Sequence, residues 1–152
     1  MLKVVCGLKD VDVPELDPRR FAGVLDPEPC RRFVLRLERA ADWFGRRRLW
    51  QVNSTEQGGG VAEMLHFLLG YLAGAGIDTR WAVLEGNDDF FAITKRIHHL
   101  LHGRPGDGGL DQPARGVYEQ TLKEALAELQ RRVGPGDVVV LHDRRRRGLL
   151  PS

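Results

Sequence analysis

Three consecutive glycines, Gly58, Gly59 and Gly60, stand inside QVNSTEQGGGVAEML, between a strand-like run and the start of a helical one. Glycine in regular structure costs roughly 0.5–1 kcal/mol relative to alanine, and reversing a chain does not require three of them. What the triplet offers is close approach: without a Cβ in the way, backbone N–H groups at a helix N-terminus can reach a ligand. The neighbouring residues narrow the chemistry. A dinucleotide fingerprint fails because Glu63 stands where its third glycine belongs, and a Walker-type phosphate loop fails because no lysine followed by serine or threonine comes after the glycines. Glu63 has two readings, as a cap and dipole partner for its helix or as part of a site. A carboxylate would repel phosphate, whereas a carboxylate with Asn53, Ser54 and Thr55 nearby suits a polyhydroxylated ligand, whose hydroxyls both donate and accept. His142 and Asp143 are a second polar pair, directly after the apolar run Val138 to Leu141.

The elements that must position these groups follow from hydrophobic periodicity. Leu2 to Cys6 is a short apolar run, and Pro14 and Pro18 read as loop. Glu28 to Phe44 reads as an amphipathic helix with Phe33, Val34, Leu37, Ala40, Ala41 and Phe44 on one face. Leu49 to Val52 is strand-like and leads through the glycine loop into a helix whose expected inner face is Val61, Leu65, Leu68, Leu69 and Leu72, ended by Gly74 and Gly76. Thr79 to Leu84 reads as a strand, Glu85 to Asp89 as a polar loop, and Phe90 to Leu101 as a helix with Phe90, Ile93, Ile97 and Leu101 inward. A loop, His102 to Pro113, precedes a helix over about Ala114 to Val133, and Val138 to Leu141 has the continuous β-branched character of a strand buried in a parallel sheet. Strands alternating with helices predict an α/β fold, a Rossmann-like parallel sheet flanked by helices. In such a sheet the loops beyond the strands' carboxyl ends, Asn53 to Gly60, Glu85 to Asp89 and His142-Asp143, form the ligand edge.

Composition excludes some partners. With 23 basic and 21 acidic residues among 152, the net charge of +2 argues for no general affinity for nucleic acid or membranes. Arginine clusters such as Arg46 to Arg48 and Arg144 to Arg147 read as solvated surface. The two cysteines, Cys6 and Cys30, lack metal or disulfide-framework spacing, which with the absence of an export-type leader fits a reduced cytoplasmic setting. His98 and His102 are one helical turn apart, but no third ligand stands at a familiar spacing and no metal is expected. Trp50 and Trp81 occupy strand positions and read as core before sugar platforms.

Three segments in order, WQVNSTEQGGGVAEML, WAVLEGNDDFFAITKRIHHLLHG and VVVLHD, resemble the amino-terminal part of the retaining trehalose synthases and trehalose phosphorylases. These are family 4 glycosyltransferases of the two-domain GT-B fold, and the similarity runs from about Leu49 to Asp143. The resemblance implies that the chain is a partial amino-terminal, acceptor-side domain, residues 1–152, with residues 1–48 a helical and irregular leader and the carboxyl-terminal donor-binding domain absent. It implies transfer of glucose from ADP-glucose or UDP-glucose to an acceptor, glucose or glucose 1-phosphate, with retention and no tightly bound cofactor. Carried over by position, Gly58 to Gly60 line the cleft, Glu63 supports it, and Lys95 and His98 fall on the family's T-K-x-x-H. His142 and Asp143 fall on its H-D-P-Q, nearest the transferring glucosyl group. The pattern breaks at Arg144 and Arg145, which replace Pro-Gln, and at His99, where the family usually has asparagine.

Two other classes stand beside a glycosyltransferase half: a non-catalytic sugar- or nucleotide-binding module, and a polyanion binder acting through Arg144 to Arg147. The sheet edge beyond Val138 to Leu141 is also expected to be open to self-association.

Overall fold

The computed structural model describes residues 7–104 and 108–142. In chain order they form β1 (Gly7–Val11), a 3-10 turn (Pro18–Gly23), α1 (Pro27–Phe44), β2 (Leu49–Asn53), α2 (Gly60–Gly74), β3 (Thr79–Glu85), α3 (Asp88–Leu101), α4 (Gln112–Arg132) and β4 (Val138–Leu141). The protein is α/β, as the alternation predicts, and its four strands make one sheet in the order β1-β3-β2-β4. β2 lies parallel to both β3 and β4, with Asn53 opposite Val83 and Val52 opposite Leu141. The apolar run Leu2 to Cys6 lies outside the described residues; the strand that is described begins at Gly7. By contact the chain divides into two compact units, one made of residues 10–83 and 133–142, the other centred on residues 84–132.

In the first unit β2 is buried at every position, as expected of a strand with parallel neighbours on both sides. α2 lays Ala62, Leu65 and Leu69 against Trp81 and Val83, and Val11, Val13 and Leu72 close the margin. Val61 and Leu68, expected on that inner face, are both 43% exposed. The reason lies in α2's composition. Most of its circumference is apolar, so periodicity alone does not choose the inward side, and the neighbours choose it instead. One of them is the segment around Leu16, whose N–H donates to the Gly70 carbonyl at 2.9 Å. A Cβ on Gly74 would lie only 2.1 Å from the Leu16 carbonyl oxygen, so the crossing needs small residues there.

α1 follows its pattern more closely: the six residues expected inward are all half-buried, and Cys30 is buried at its first turns. Phe21 packs on Phe33 and Tyr71, with ring centroids 5.1 and 4.8 Å apart, in a 3-10 turn opening at Pro18 rather than in the expected loop. Before β4, Asp137 closes the Gly-Pro-Gly-Asp turn, accepting from the N–H groups of Gly134 and Arg48 at 2.8 Å and from the Trp50 indole at 3.1 Å. Burial alone would raise the Asp137 pKa, but the Arg48 and Gly134 amides, the Trp50 indole and the Arg48 charge together hold it below the usual value. β4 itself departs from the two-faced burial its β-branched run predicts. It stands at one end of the described strand order, and Val139 is 36% exposed.

In the second unit α3 and α4 pack on each other. The Phe90 ring stacks on Tyr118 at 5.7 Å, and Ile93, Leu122, Ala125 and Leu129 are buried. Leu101, expected inward, is 68% exposed in the last turn of α3. Glu128 accepts from Leu8 N–H at 2.9 Å and pairs with Arg132 one helical turn later. Among the described residues no helix is long and apolar enough to cross a membrane.

Candidate functional site

From β2 the chain crosses to β3 on one side, and it later returns to place β4 on the other side of β2. That reversal makes a switch point at the carboxyl ends of β2 and β4, the position at which open α/β sheets bind ligands. β2 ends there at Asn53 and runs into the glycine loop; β4 ends at Leu141 and is followed by His142.

The first half of the loop is fastened to the protein. The Trp81 indole N–H donates to Asn53 Oδ1 at 2.8 Å, and Asn53 Nδ2 donates to the Thr55 carbonyl at 2.6 Å. Thr55 Oγ1 accepts from Gln57 N–H at 3.2 Å and donates to the Gln57 carbonyl at 2.5 Å. From α2, His66 Nε2 donates to the Glu56 carbonyl at 3.0 Å, which fixes the proton on Nε2, and its ring meets Trp81 edge to face at 4.6 Å. Asn53, a sequence-predicted substrate contact, is 3% exposed, with Oδ1 taken by Trp81 and Nδ2 by the loop.

The second half is open. Gly58 and Gly59 have φ of 72° and 82°, the left-handed region that L side chains avoid, and a Cβ on Gly58, Gly59 or Gly60 would meet nothing within 4 Å. Gly59 is the N-cap of α2 and, having no side chain, does not cap that end, so among the described residues the N–H groups before Glu63 are open to ligand or water. Glu63 stands in the first turn, exposed, its N–H donating to the Gly59 carbonyl at 3.3 Å. Its carboxylate therefore does not serve as the helix cap. Instead it places negative charge beside a row of backbone donors, an arrangement that can both give hydrogen bonds to a hydroxylated ligand and take them from it.

His142 N–H extends the β2–β4 ladder to the Val52 carbonyl at 2.9 Å, and its Nε2 bonds the side-chain oxygen of Gln51, which is 5% exposed. Sequence reasoning passed over Gln51, although a polar residue in the middle of an apolar strand was a signal. It also passed over His66, the one histidine in α2. Trp50 and Trp81 are core side chains, 5% and 1% exposed.

Asn53, Gly58, Gly59, Gly60, Glu63 and His142 thus belong to one compact unit, at adjacent strand ends. Lys95 and His98 belong to the other, on the exposed side of α3. There the His98 ring lies 4.2 Å from that of His102, whose Nδ1 donates to the His98 carbonyl at 2.9 Å. Phe90 is buried while its neighbour Phe91 is 39% exposed. Asp143 and Arg144 to Arg147 lie outside the described residues.

Comparison with known proteins agrees with the motifs. The chain is 35% identical over 96 residues to a trehalose synthase of Rubrobacter xylanophilus, covering 63% of this chain and 23% of that protein. It is 38% identical over 92 residues to a trehalose synthase of Thermococcus litoralis, covering 60% of this chain and 22% of the relative. A trehalose phosphorylase of Pleurotus pulmonarius is 35% identical over 105 residues, 65% of this chain and 14% of that one. The matched segment thus spans less than a quarter of each relative's length. The model of the trehalose synthase N-terminal domain matches residues 51–152, which contain the glycine loop, α2, α3 and β4. The chain belongs to the family of trehalose synthase N-terminal domains.

Proposed function

We propose that this chain is the acceptor-side part of a retaining glycosyltransferase that moves glucose from ADP-glucose or UDP-glucose onto glucose to make trehalose, or of the related trehalose phosphorylase. The observation that carries the reading is the uncapped, side-chain-free N-terminus of α2 at the sheet's switch point, in a chain of this family. In the proposed reaction the bond from glucosyl C1 to the nucleotide's phosphate oxygen breaks with its electron pair leaving on the nucleotide. The acceptor hydroxyl oxygen bonds C1 on the same face, and its proton passes to the departing phosphate oxygen. The amides at Gly60 and beyond would donate to sugar hydroxyls or to the leaving diphosphate, Glu63 would accept from sugar hydroxyls, and His142 would stand nearest the transferred glucosyl group. In this reading no cofactor is held tightly, and the setting is cytoplasmic.

Transfer requires donor and acceptor held together in one site, and the match spans under a quarter of the relatives' length, so the chain alone is proposed to bind without turnover. Calorimetric titration with glucose, trehalose, glucose 1-phosphate, ADP-glucose and UDP-glucose, beside a trehalose-formation assay, tests this. Sugar binding without product is the expected result. Trehalose formed above a no-protein control, or no binding of any of the sugars, would overturn it. The half-exposed β4, at one end of the strand order, is proposed to permit self-association, which sedimentation of the chain and of a Val139→Lys variant over a concentration series would reveal.

A further inference from the structure

The glycine loop has to be held still from one side if its other side is to present donors in a fixed direction, because glycine supplies no stiffness of its own. Two braces do the holding, and they converge on Trp81. The first runs from the Trp81 indole through the Asn53 amide to the Thr55 carbonyl, at 2.8 and 2.6 Å. The second runs from the ring of the same tryptophan, in T-shaped contact with the His66 ring, to the Glu56 carbonyl, at 3.0 Å. Two successive peptide carbonyls are therefore fixed immediately before Gln57 and the three glycines. Trp81 is 1% exposed and packed in the core with Leu65 and Leu69, so it makes a rigid anchor for both.

We infer that His66 is a positioning residue for the glycine loop. Its role needs an N–H at the end of a side chain that reaches from α2 to the Glu56 carbonyl, which histidine provides and a purely apolar ring does not. His66 also lies three residues after Glu63 on α2, so the second brace ties the loop to the helix that carries the proposed site carboxylate. Loss of the brace removes this restraint on the Glu56 carbonyl, and the left-handed Gly58 and Gly59 then sample more of the conformations open to glycine.

The role of His66 in loop order stands on these contacts, and only its effect on sugar binding rests on the proposed function. The test uses the full chain with His66, with His66→Phe, which keeps the ring and removes the donor, and with His66→Gln, which restores a donor. Backbone 15N relaxation is read at Gly58, Gly59 and Gly60, and each protein is titrated with trehalose. The expected result is a fall in those glycine order parameters from about 0.8 to below about 0.6 in His66→Phe, with recovery in His66→Gln. Order parameters in β2 and in the buried part of α2 should stay unchanged, which separates a local brace from general loosening. Trehalose binding should weaken about fivefold in His66→Phe, the effect of one hydrogen bond, and recover with glutamine. Unchanged glycine order in His66→Phe, or glutamine behaving like phenylalanine, would overturn the inference. If the parent chain binds no trehalose, the function proposed above fails, and the relaxation data still decide the role of His66.

Discussion

Two turns in this protein do the same topological job and are built in opposite ways. Each leads from a sheet strand into a helix, β2 into α2 and β3 into α3. The β3–α3 turn satisfies itself: Asn87 Oδ1 accepts from Phe90 N–H at 2.8 Å, and Asp88 and Asp89 place negative charge on the first turn. Its Gly86 is a packing glycine, since a Cβ there would lie 2.6 Å from the Phe90 ring. The β2–α2 turn is longer, and its helix starts from the N-cap Gly59 without a side-chain cap, beside three glycines at which a Cβ would meet nothing within 4 Å. A glycine before a helix can therefore mark either a tight packing contact or a surface kept clear. What separates them is whether a Cβ would find a neighbour and whether the first-turn donors already have acceptors.

That contrast can be broken experimentally, and the largest effect is expected at Gly59. Its φ of 82° with ψ of 149° lies in a region nearly restricted to glycine, so Gly59→Val should cost on the order of 1–3 kcal/mol in urea denaturation and abolish sugar binding. A variant with parent-like stability and affinity would show the loop to be a tolerant turn. On the self-capped side, Asn87→Ala should destabilise by about 1 kcal/mol by removing the acceptor for Phe90 N–H, while leaving sugar affinity at the parent value. Loss of affinity there would mean that the capped turn also belongs to the site. The smallest change in stability, and the sharpest test, is Gly60→Ala. Gly60 is the first residue of α2, its φ is not positive and a Cβ there has open space, so alanine should be neutral or stabilise by up to about 0.5 kcal/mol. The same methyl would stand where a ligand approaches the backbone, and affinity for sugar should fall. Stability and affinity moving together in this variant would contradict close approach as the purpose of the triplet.

Local pattern was enough to read much of the fold. α1 shows why: its charged residues gather on the outer face, and the six apolar residues expected inward are all half-buried, although Leu35 and Trp43 stand exposed. The order of strands and helices from Leu49 onward was legible for the same reason. α2 and the end of α3 mark the limit. Apolar residues surround most of α2, and the contact of the Leu16 segment with Gly70 and Gly74 helps set which way it turns, with Val61 and Leu68 left exposed. Leu101 has the right spacing but stands in the helix's last turn, where it is exposed.

The candidate site divides along the same line. Sequence alone determined that a glycine triplet would sit between a strand and a helix with Glu63 in its first turn, because glycine's missing Cβ and the helix period are local properties. The motifs around it determined the family. Only the tertiary structure decided what Asn53 does, since its partner Trp81 is 28 residues away on the adjacent strand and takes the amide for the loop. The same is true of His66, whose ring matters because α2 brings it against Trp81, and of His142, which parallel pairing of β4 with β2 sets against Gln51, 91 residues earlier. Periodicity fixes which residues share an element, whereas a hydrogen bond between distant segments depends on how those elements pack, and that information is spread over the whole chain.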